Sequence, residues 1–345
     1  MSLVDKGDFM PGYRTVLLVL LLLFATHGCQ RQEEKASAHS EHKFKVLATV
    51  APITSIVENV AGDRVQLAGI IPEGINSHTF EPIPSDIKLL AAADLIVLNG
   101  LDLEIPTLNL AKANKKRDAT ILLLGDNTIK EKDYLFDFSF PKEQGHPNPH
   151  LWLNPEYVMR YAELVRNELV RRDEKHKGTY EEHTAQFLKK LDALDRAIKE
   201  AVNTIPAGNR RLLTYHDSWP YFARRYGFKV IGAVQPSDFS DPSPREVARF
   251  IDQLKKEKVP AVFGSEVFPS PVLEQIARET NTRYIDKLRD DELPGKPGEP
   301  QHSYIGLMVE NLTIMFEALG GSSAPLKAVD PAPVAGSHAD YRVRK

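Results

Sequence analysis

The sequence of 345 residues contains a single cysteine, Cys29, so no disulfide can form within the chain. Its net charge is −3, with acidic and basic residues interspersed, which excludes the basic surface that nucleic-acid binding requires. A membrane-spanning helix needs roughly 20 apolar residues. The apolar run at residues 16–24 is much shorter. These absences argue against a nucleic-acid-binding protein and against a membrane-spanning helix at residues 16–24.

The short apolar run has the features of an export signal. It follows Arg14 and is succeeded by small residues and Cys29, an order typical of secretory signals. We expect Cys29 to be a lipid-acceptor site. The alternative is an ordinary cleaved signal peptide whose thiol stays unmodified. Both interpretations place the mature protein outside the cytoplasm, in the periplasm or on the cell surface, as a membrane-anchored lipoprotein in the first case.

Two series of strand-like segments alternate with helical segments, one series from residue 44 and the other from Leu212. Such alternation is typical of parallel sheets flanked by helices. Between the series, apolar residues recur at steps of three or four over residues 187–205, which predicts one long helix. The expected fold class is therefore α/β: two lobes, each with a parallel sheet flanked by helices, joined by one long rigid helix.

The same patterns divide the chain into segments. With 42% hydrophobic residues, the chain can bury a substantial core in each lobe. The predicted segments are a signal peptide (1–28), a lipid-anchored flexible tether (29–43), an N-terminal α/β lobe (44–175), the long connecting helix (176–206), a C-terminal α/β lobe (207–320) and a disordered tail (321–345).

Four side chains that can bind metal recur at nearly equal intervals: His78, His150, His216 and Asp286. Each lies in or just after a short apolar run that ends in polar residues. Ligands of α/β proteins gather outside the carboxyl ends of parallel strands. We therefore expect these four side chains to form one metal site. Imidazole nitrogen suits zinc and other first-row metals, and a carboxylate widens the choice toward manganese and iron.

A shell of four protein ligands leaves no open position for a substrate, unlike a catalytic zinc site with three protein ligands. The pattern thus predicts a binding site and not an enzyme. A metallohydrolase would need an open position and a base beside the metal-bound water. The sequence has neither an HExxH motif nor a two-metal carboxylate cluster. Asp290 and Asp291 are alternative oxygen donors to Asp286.

Five segments, taken in order, carry a family resemblance: HTFEP, NPHLWLNP, YHDSWPYFARRYGF, SPREVARFIDQLKKEKV and SEVFPSPVLEQIARET. They resemble the metal-specific solute-binding proteins of ABC importers, the zinc and manganese uptake family, over roughly residues 44–319. The resemblance implies two α/β lobes joined by one long helix, with the metal in the cleft between them. It also implies that the family's ligands fall on His78, His150, His216 and Asp286.

Within this family, the sequence favours Zn²⁺ and leaves Mn²⁺ as the alternative, with iron(II) third. Family members similar to zinc importers often carry a long His- and Asp-rich loop before the second ligand, whereas EQGHPNPH is short. His216 supplies nitrogen where other members have a Glu, and this favours zinc. The implied partner is an ABC permease in the cytoplasmic membrane, served by a monomeric binding protein. An extracellular adhesin or metallochaperone without a transport role is the alternative function.

Overall fold

The computed structural model describes residues 43–265 and 271–342. The predicted signal peptide, Cys29 and the tether up to residue 42 lie outside the described residues. Two four-stranded sheets form the framework, and their strands pair in parallel. Among the residues that the structure describes, no helix has the length and apolar character needed to cross a membrane.

The first sheet has the strand order β2-β1-β3-β4. Its strands are β1 (Phe44–Ala48), β2 (Val65–Gly69), β3 (Leu95–Leu98) and β4 (Thr120–Leu123). The connecting helices are α1 (Ala51–Ala61), α2 (Pro84–Ala92) and α3 (Ile105–Asn114). Each of these helices has a proline in its first two positions, where the missing N–H costs nothing. Because the strand order reverses between β1 and β3, a crevice opens at their carboxyl ends.

Two long helices follow the first sheet, α4 (Pro155–Arg172) and α5 (Lys177–Thr204). The apolar residues predicted along α5 are all buried and pack with α1 and α4 in the largest core: Phe187, Leu191, Leu194, Ile198 and Val202. The predicted long connecting helix is therefore present. Helix α4, which was not predicted, is capped at its N-terminus by Asn154, whose side chain accepts from the Glu156 backbone N–H.

The second sheet repeats the topology of the first, with the order β6-β5-β7-β8. Its strands are β5 (Arg211–Thr214), β6 (Lys229–Ala233), β7 (Ala261–Ser265) and β8 (Arg283–Leu288), and its helices are α6 (Pro220–Tyr226), α7 (Pro244–Glu257), α8 (Pro271–Thr280) and α9 (Tyr304–Ala318). Buried Asp195 of α5 accepts hydrogen bonds from Arg225 and Tyr226 of α6, at 3.0 and 2.7 Å. This contact ties the second lobe to the long helix, and the predicted fold class is confirmed.

The segment after α9 differs from the predicted disordered tail. Residues 321–342, here called the C-terminal strap, pack against the first lobe. Asp340 exchanges backbone hydrogen bonds with Leu67 and Gly69 of the edge strand β2. Buried Glu58 of α1 accepts from the backbone N–H groups of His338 and Ala339. This pairing is made through backbone groups and needs no periodic apolar pattern. The segment has no such pattern, so its sequence led us to predict a disordered tail.

Candidate metal centre

Three histidines from three separate loops converge at the carboxyl ends of the strands. His78 lies in the short turn Ser77–Thr79 after β2, His150 directly precedes the turn Leu151–Leu153, and His216 follows β5. Their Nε2 atoms are 3.3 Å apart for His78 and His150, 3.2 Å for His78 and His216, and 3.0 Å for His150 and His216. Among the described residues, these three form the group able to hold a metal ion.

The spacing of the three nitrogens fits a single bound cation. With zinc–nitrogen bonds of about 2.0–2.1 Å and tetrahedral angles, ligand nitrogens lie roughly 3.3 Å apart. The observed separations of 3.0–3.3 Å are close to this value. A divalent ion between the three Nε2 atoms would therefore need little rearrangement of the side chains.

Neighbouring amides fix which nitrogen of two rings faces the centre. Nδ1 of His150 lies 2.8 Å from Oδ1 of Asn148, whose Nδ2 donates to the Asp217 carbonyl. Nδ1 of His216 lies 2.7 Å from Oε1 of Gln235. An amide oxygen only accepts, so both Nδ1 atoms carry the proton and both Nε2 atoms present lone pairs. Two lone pairs facing each other at 3.0 Å attract a cation.

Burial favours the neutral imidazole, the form that metal binding requires, at two of the three histidines, His78 and His150. His150 and His216 are buried, and His78 is partly exposed. Burial lowers the pKa of His78 and of His150 well below the usual value, and the neighbouring imidazoles add to the effect. Neutral imidazole is the ligating species, so the lowered pKa values of His78 and His150 favour metal binding at neutral pH.

The fourth predicted ligand, Asp286, is not part of this group. Strand β8 continues through Asp286 to Leu288, so Asp286 lies within the strand, where it is exposed. The carboxyl end of β8 comes later in the sequence than predicted. Two buried carboxylates, Asp290 and Asp291, follow that end directly.

Asp290 and Asp291 contact the residues next to the histidine ligands. Asp290 Oδ1 accepts from the Ser218 hydroxyl at 2.5 Å, and Asp291 Oδ2 accepts from the Ser77 backbone N–H at 3.2 Å. Burial raises the pKa of both carboxyls, to about 6 for Asp291, while His216 acts in the opposite direction. The other oxygen of Asp291, Oδ1, is buried and has no protein hydrogen-bond partner. A carboxylate oxygen in this state can bind a cation.

The sequence matches a known protein family over most of its length. Residues 46–318 match the family model described as zinc-uptake complex component A, periplasmic. The chain belongs to this family. Members are metal-binding solute-binding components of ABC importers and not enzymes, and they work outside the cytoplasm.

Relatives in the family carry names that refer to different metals. The chain is 31% identical over 289 residues to the iron-binding protein YfeA of Yersinia pestis, covering 83% of this chain and 89% of the relative. It is 29% identical over 310 residues to the manganese ABC transporter substrate-binding lipoprotein PsaA of Streptococcus pneumoniae, covering 88% and 96%. The solved structure of the periplasmic zinc-binding protein TroA of Treponema pallidum is 25% identical, with a TM-score of 0.73, and covers 80% of this chain and 99% of that one.

The residues that orient His150 and His216 were not predicted from the sequence. Asn148 precedes His150 by two positions, and an amide so close to a predicted ligand is a readable signal. Gln235 lies at the end of β6, far from His216 in sequence, and its role emerges only in the folded chain.

We expect metal affinity to fall as the pH drops through about 6. The lowered pKa values of His78 and His150 keep both rings neutral below the ordinary histidine pKa of about 6.5. The carboxyl of Asp291 takes up a proton as the pH falls through about 6. Chelator-competition titrations from pH 5 to pH 8 measure this profile. A tenfold loss of affinity between pH 8 and pH 7 would contradict it.

Proposed function

We propose that this protein captures Zn²⁺ between its two lobes and delivers it to an ABC permease, with Mn²⁺ as the second candidate metal and a lipid anchor at Cys29. The observation that carries the proposal is the convergence of three imidazole Nε2 atoms within 3.3 Å of one another. Three nitrogen donors favour zinc over manganese, which prefers oxygen. The names of the relatives refer to zinc, manganese and iron, so the choice of metal rests on the donor set of this chain.

We further propose that the fourth ligand comes from the Asp290–Asp291 pair and not from Asp286. Both carboxylates are buried and follow the carboxyl end of β8, whereas Asp286 is exposed within the strand. Both also lie close enough to His216 for its imidazole to act on them electrostatically, which lowers the pKa of each carboxyl against the effect of burial. With one of them, the shell would contain three nitrogens and an oxygen donor.

A competition titration of the metal-stripped protein tests the choice of metal. Zn²⁺ and Mn²⁺ compete for one site while a chromophoric chelator reports free Zn²⁺. Tight one-to-one zinc binding that excess manganese fails to displace would support a zinc importer. Manganese preference would transfer the proposal to Mn²⁺. Binding of neither metal would refute metal capture altogether.

The same titration tests the carboxylate ligand. Asp290→Asn and Asp291→Asn each keep the size of the side chain and remove its charge, and Asp286→Asn is the matched control. We expect at least one variant of the pair to lose about tenfold or more in Zn²⁺ affinity, a loss comparable to that from removing an outer-shell partner. Asp286→Asn should bind as the parent does. The reverse pattern would restore Asp286 to the site.

A further inference from the structure

Aromatic rings enclose the three-histidine centre, and one of them lies at its outer side. Phe140 lies 5.5 Å from His78, and Trp152 lies 4.9 Å from His150, measured between ring centroids. Both of these aromatic side chains are buried. Phe239 stacks on His78 at 4.6 Å, with an interplanar angle of 20°, and it is partly exposed.

Phe239 covers the one histidine of the three that is partly exposed. His150 and His216 are buried, whereas His78 is partly exposed. The Phe239 ring lies flat on this ligand and 6.3 Å from His216. Within the described part of the chain, the ligand nearest to solvent is thus covered by a ring that is itself in contact with solvent.

The backbone of Phe239 is held in an unfavourable conformation. Its φ is 60°, in the left-handed region that a residue with a Cβ rarely adopts. Such a conformation persists only where surrounding contacts hold it. One contact is the turn hydrogen bond from Phe239 N–H to the Pro236 carbonyl, and another is the stack on His78.

These contacts join the two lobes. Phe239 belongs to the loop between β6 and α7 of the second lobe, and His78 follows β2 of the first. The loop has further links to the segment before His150: Gln144 Nε2 donates to Ser237 Oγ at 2.8 Å, and Ser139 Oγ donates to the Gln235 carbonyl at 2.6 Å. Separation of the lobes would break the stack and remove one contact that keeps Phe239 in place.

We propose that Phe239 is a gate residue: its ring closes the solvent side of the metal centre by stacking on His78, and it sets the rate of metal release without binding the metal. The proposal rests on the proposed metal capture. The stack strengthens when His78 binds a cation, because the imidazole gains positive character over the aromatic face. When the lobes separate, the ring is free to leave, and the bound ion becomes accessible to water.

Stopped-flow release of Zn²⁺ from the purified protein into excess chromophoric chelator tests the gate. Phe239→Ala removes the ring, and Phe239→Gly removes it while also tolerating the positive φ. Both variants should release zinc about tenfold faster or more, with one-to-one stoichiometry retained. Phe239→Tyr keeps the ring and should release zinc at the parent rate. Phe138→Ala is the control, because it removes the ring of a different phenylalanine, one that is 50% exposed.

The outcomes separate the gate from the metal-binding proposal. Faster release in both the alanine and glycine variants supports a gate formed by the ring. Release at the parent rate in Phe239→Gly, with zinc still bound, overturns the gate and leaves metal capture intact. A parent protein that binds no zinc or manganese overturns metal capture, and the gate with it.

Discussion

Replacing His150 with alanine is expected to lower the affinity for Zn²⁺ by about a hundredfold or more. Loss of an outer-shell partner alone typically costs about 10–100-fold, and His150 is a direct donor in the proposed site. Its ring is fully buried, and its Nδ1–H is held by Asn148, so its Nε2 is fixed toward the other two histidines. Chelator-competition titration of the metal-stripped variant measures the loss.

His146→Ala is the matched control for this variant. His146 lies in the same loop, but it is exposed and pairs with Asp102 at 2.8 Å, away from the three-histidine group. It should bind zinc as tightly as the parent does. An unfolded His150→Ala protein would show a broad or absent thermal transition, so the melting curve separates ligand loss from collapse of the fold. A folded variant with parental affinity would remove His150 from the shell.

The parts of the fold that the sequence predicts are those with short-range signals. The face of α5 repeats every three or four residues, and every predicted apolar position on it is buried. Helix α4 carries a comparable signal in the sequence: Asn154 caps it, Pro155 is its first residue, and its buried face is formed by Val158, Tyr161, Val165 and Leu169. The C-terminal strap shows no such repeat. It is held by backbone pairing with β2 and by Glu58, a residue far away in sequence, and neither contact leaves a pattern in the sequence of the strap itself.

The residues of the candidate site also differ in how far local sequence signals predict their positions. His216 follows the end of β5 after one intervening residue, so the rule about carboxyl ends predicts that it lies with His78 and His150, and the structure groups the three. Asp286 was selected by the same rule, but β8 extends two residues beyond it, to Leu288. The end of a strand is set by its pairing partners, here β7, and not by its own composition. With these two additional residues in the strand, Asp286 lies in an exposed part of β8 and outside the three-histidine group.

Glu58→Ala is expected to lower the free energy of unfolding by about 2–4 kcal/mol. The buried Tyr341 hydroxyl left without an acceptor costs about 1–3 kcal/mol, and the backbone N–H groups of His338 and Ala339 lose their hydrogen bonds as well. Glu58 is fully buried and accepts from the backbone N–H groups of His338 and Ala339 at 2.6 and 2.7 Å, and from the Tyr341 hydroxyl at 2.7 Å. Alanine leaves all three donors without this acceptor and loosens the strap. Urea denaturation of the metal-free protein measures the change.

The strap also contacts both lobes. Local detachment of the strap should therefore be detectable by proteolysis under conditions where the rest of the protein remains folded. Tyr341 packs in one small core with Ala51 of the first lobe and Leu293 and Leu307 of the second. Trypsin should therefore cut after exposed Lys327 faster in Glu58→Ala than in the parent, under conditions where both remain folded. Glu200→Ala, which truncates an exposed glutamate on α5, is the control and should leave both measurements unchanged. Parental stability in Glu58→Ala would mean that the strap is held by its pairing with β2 and its apolar contacts, with Glu58 contributing little.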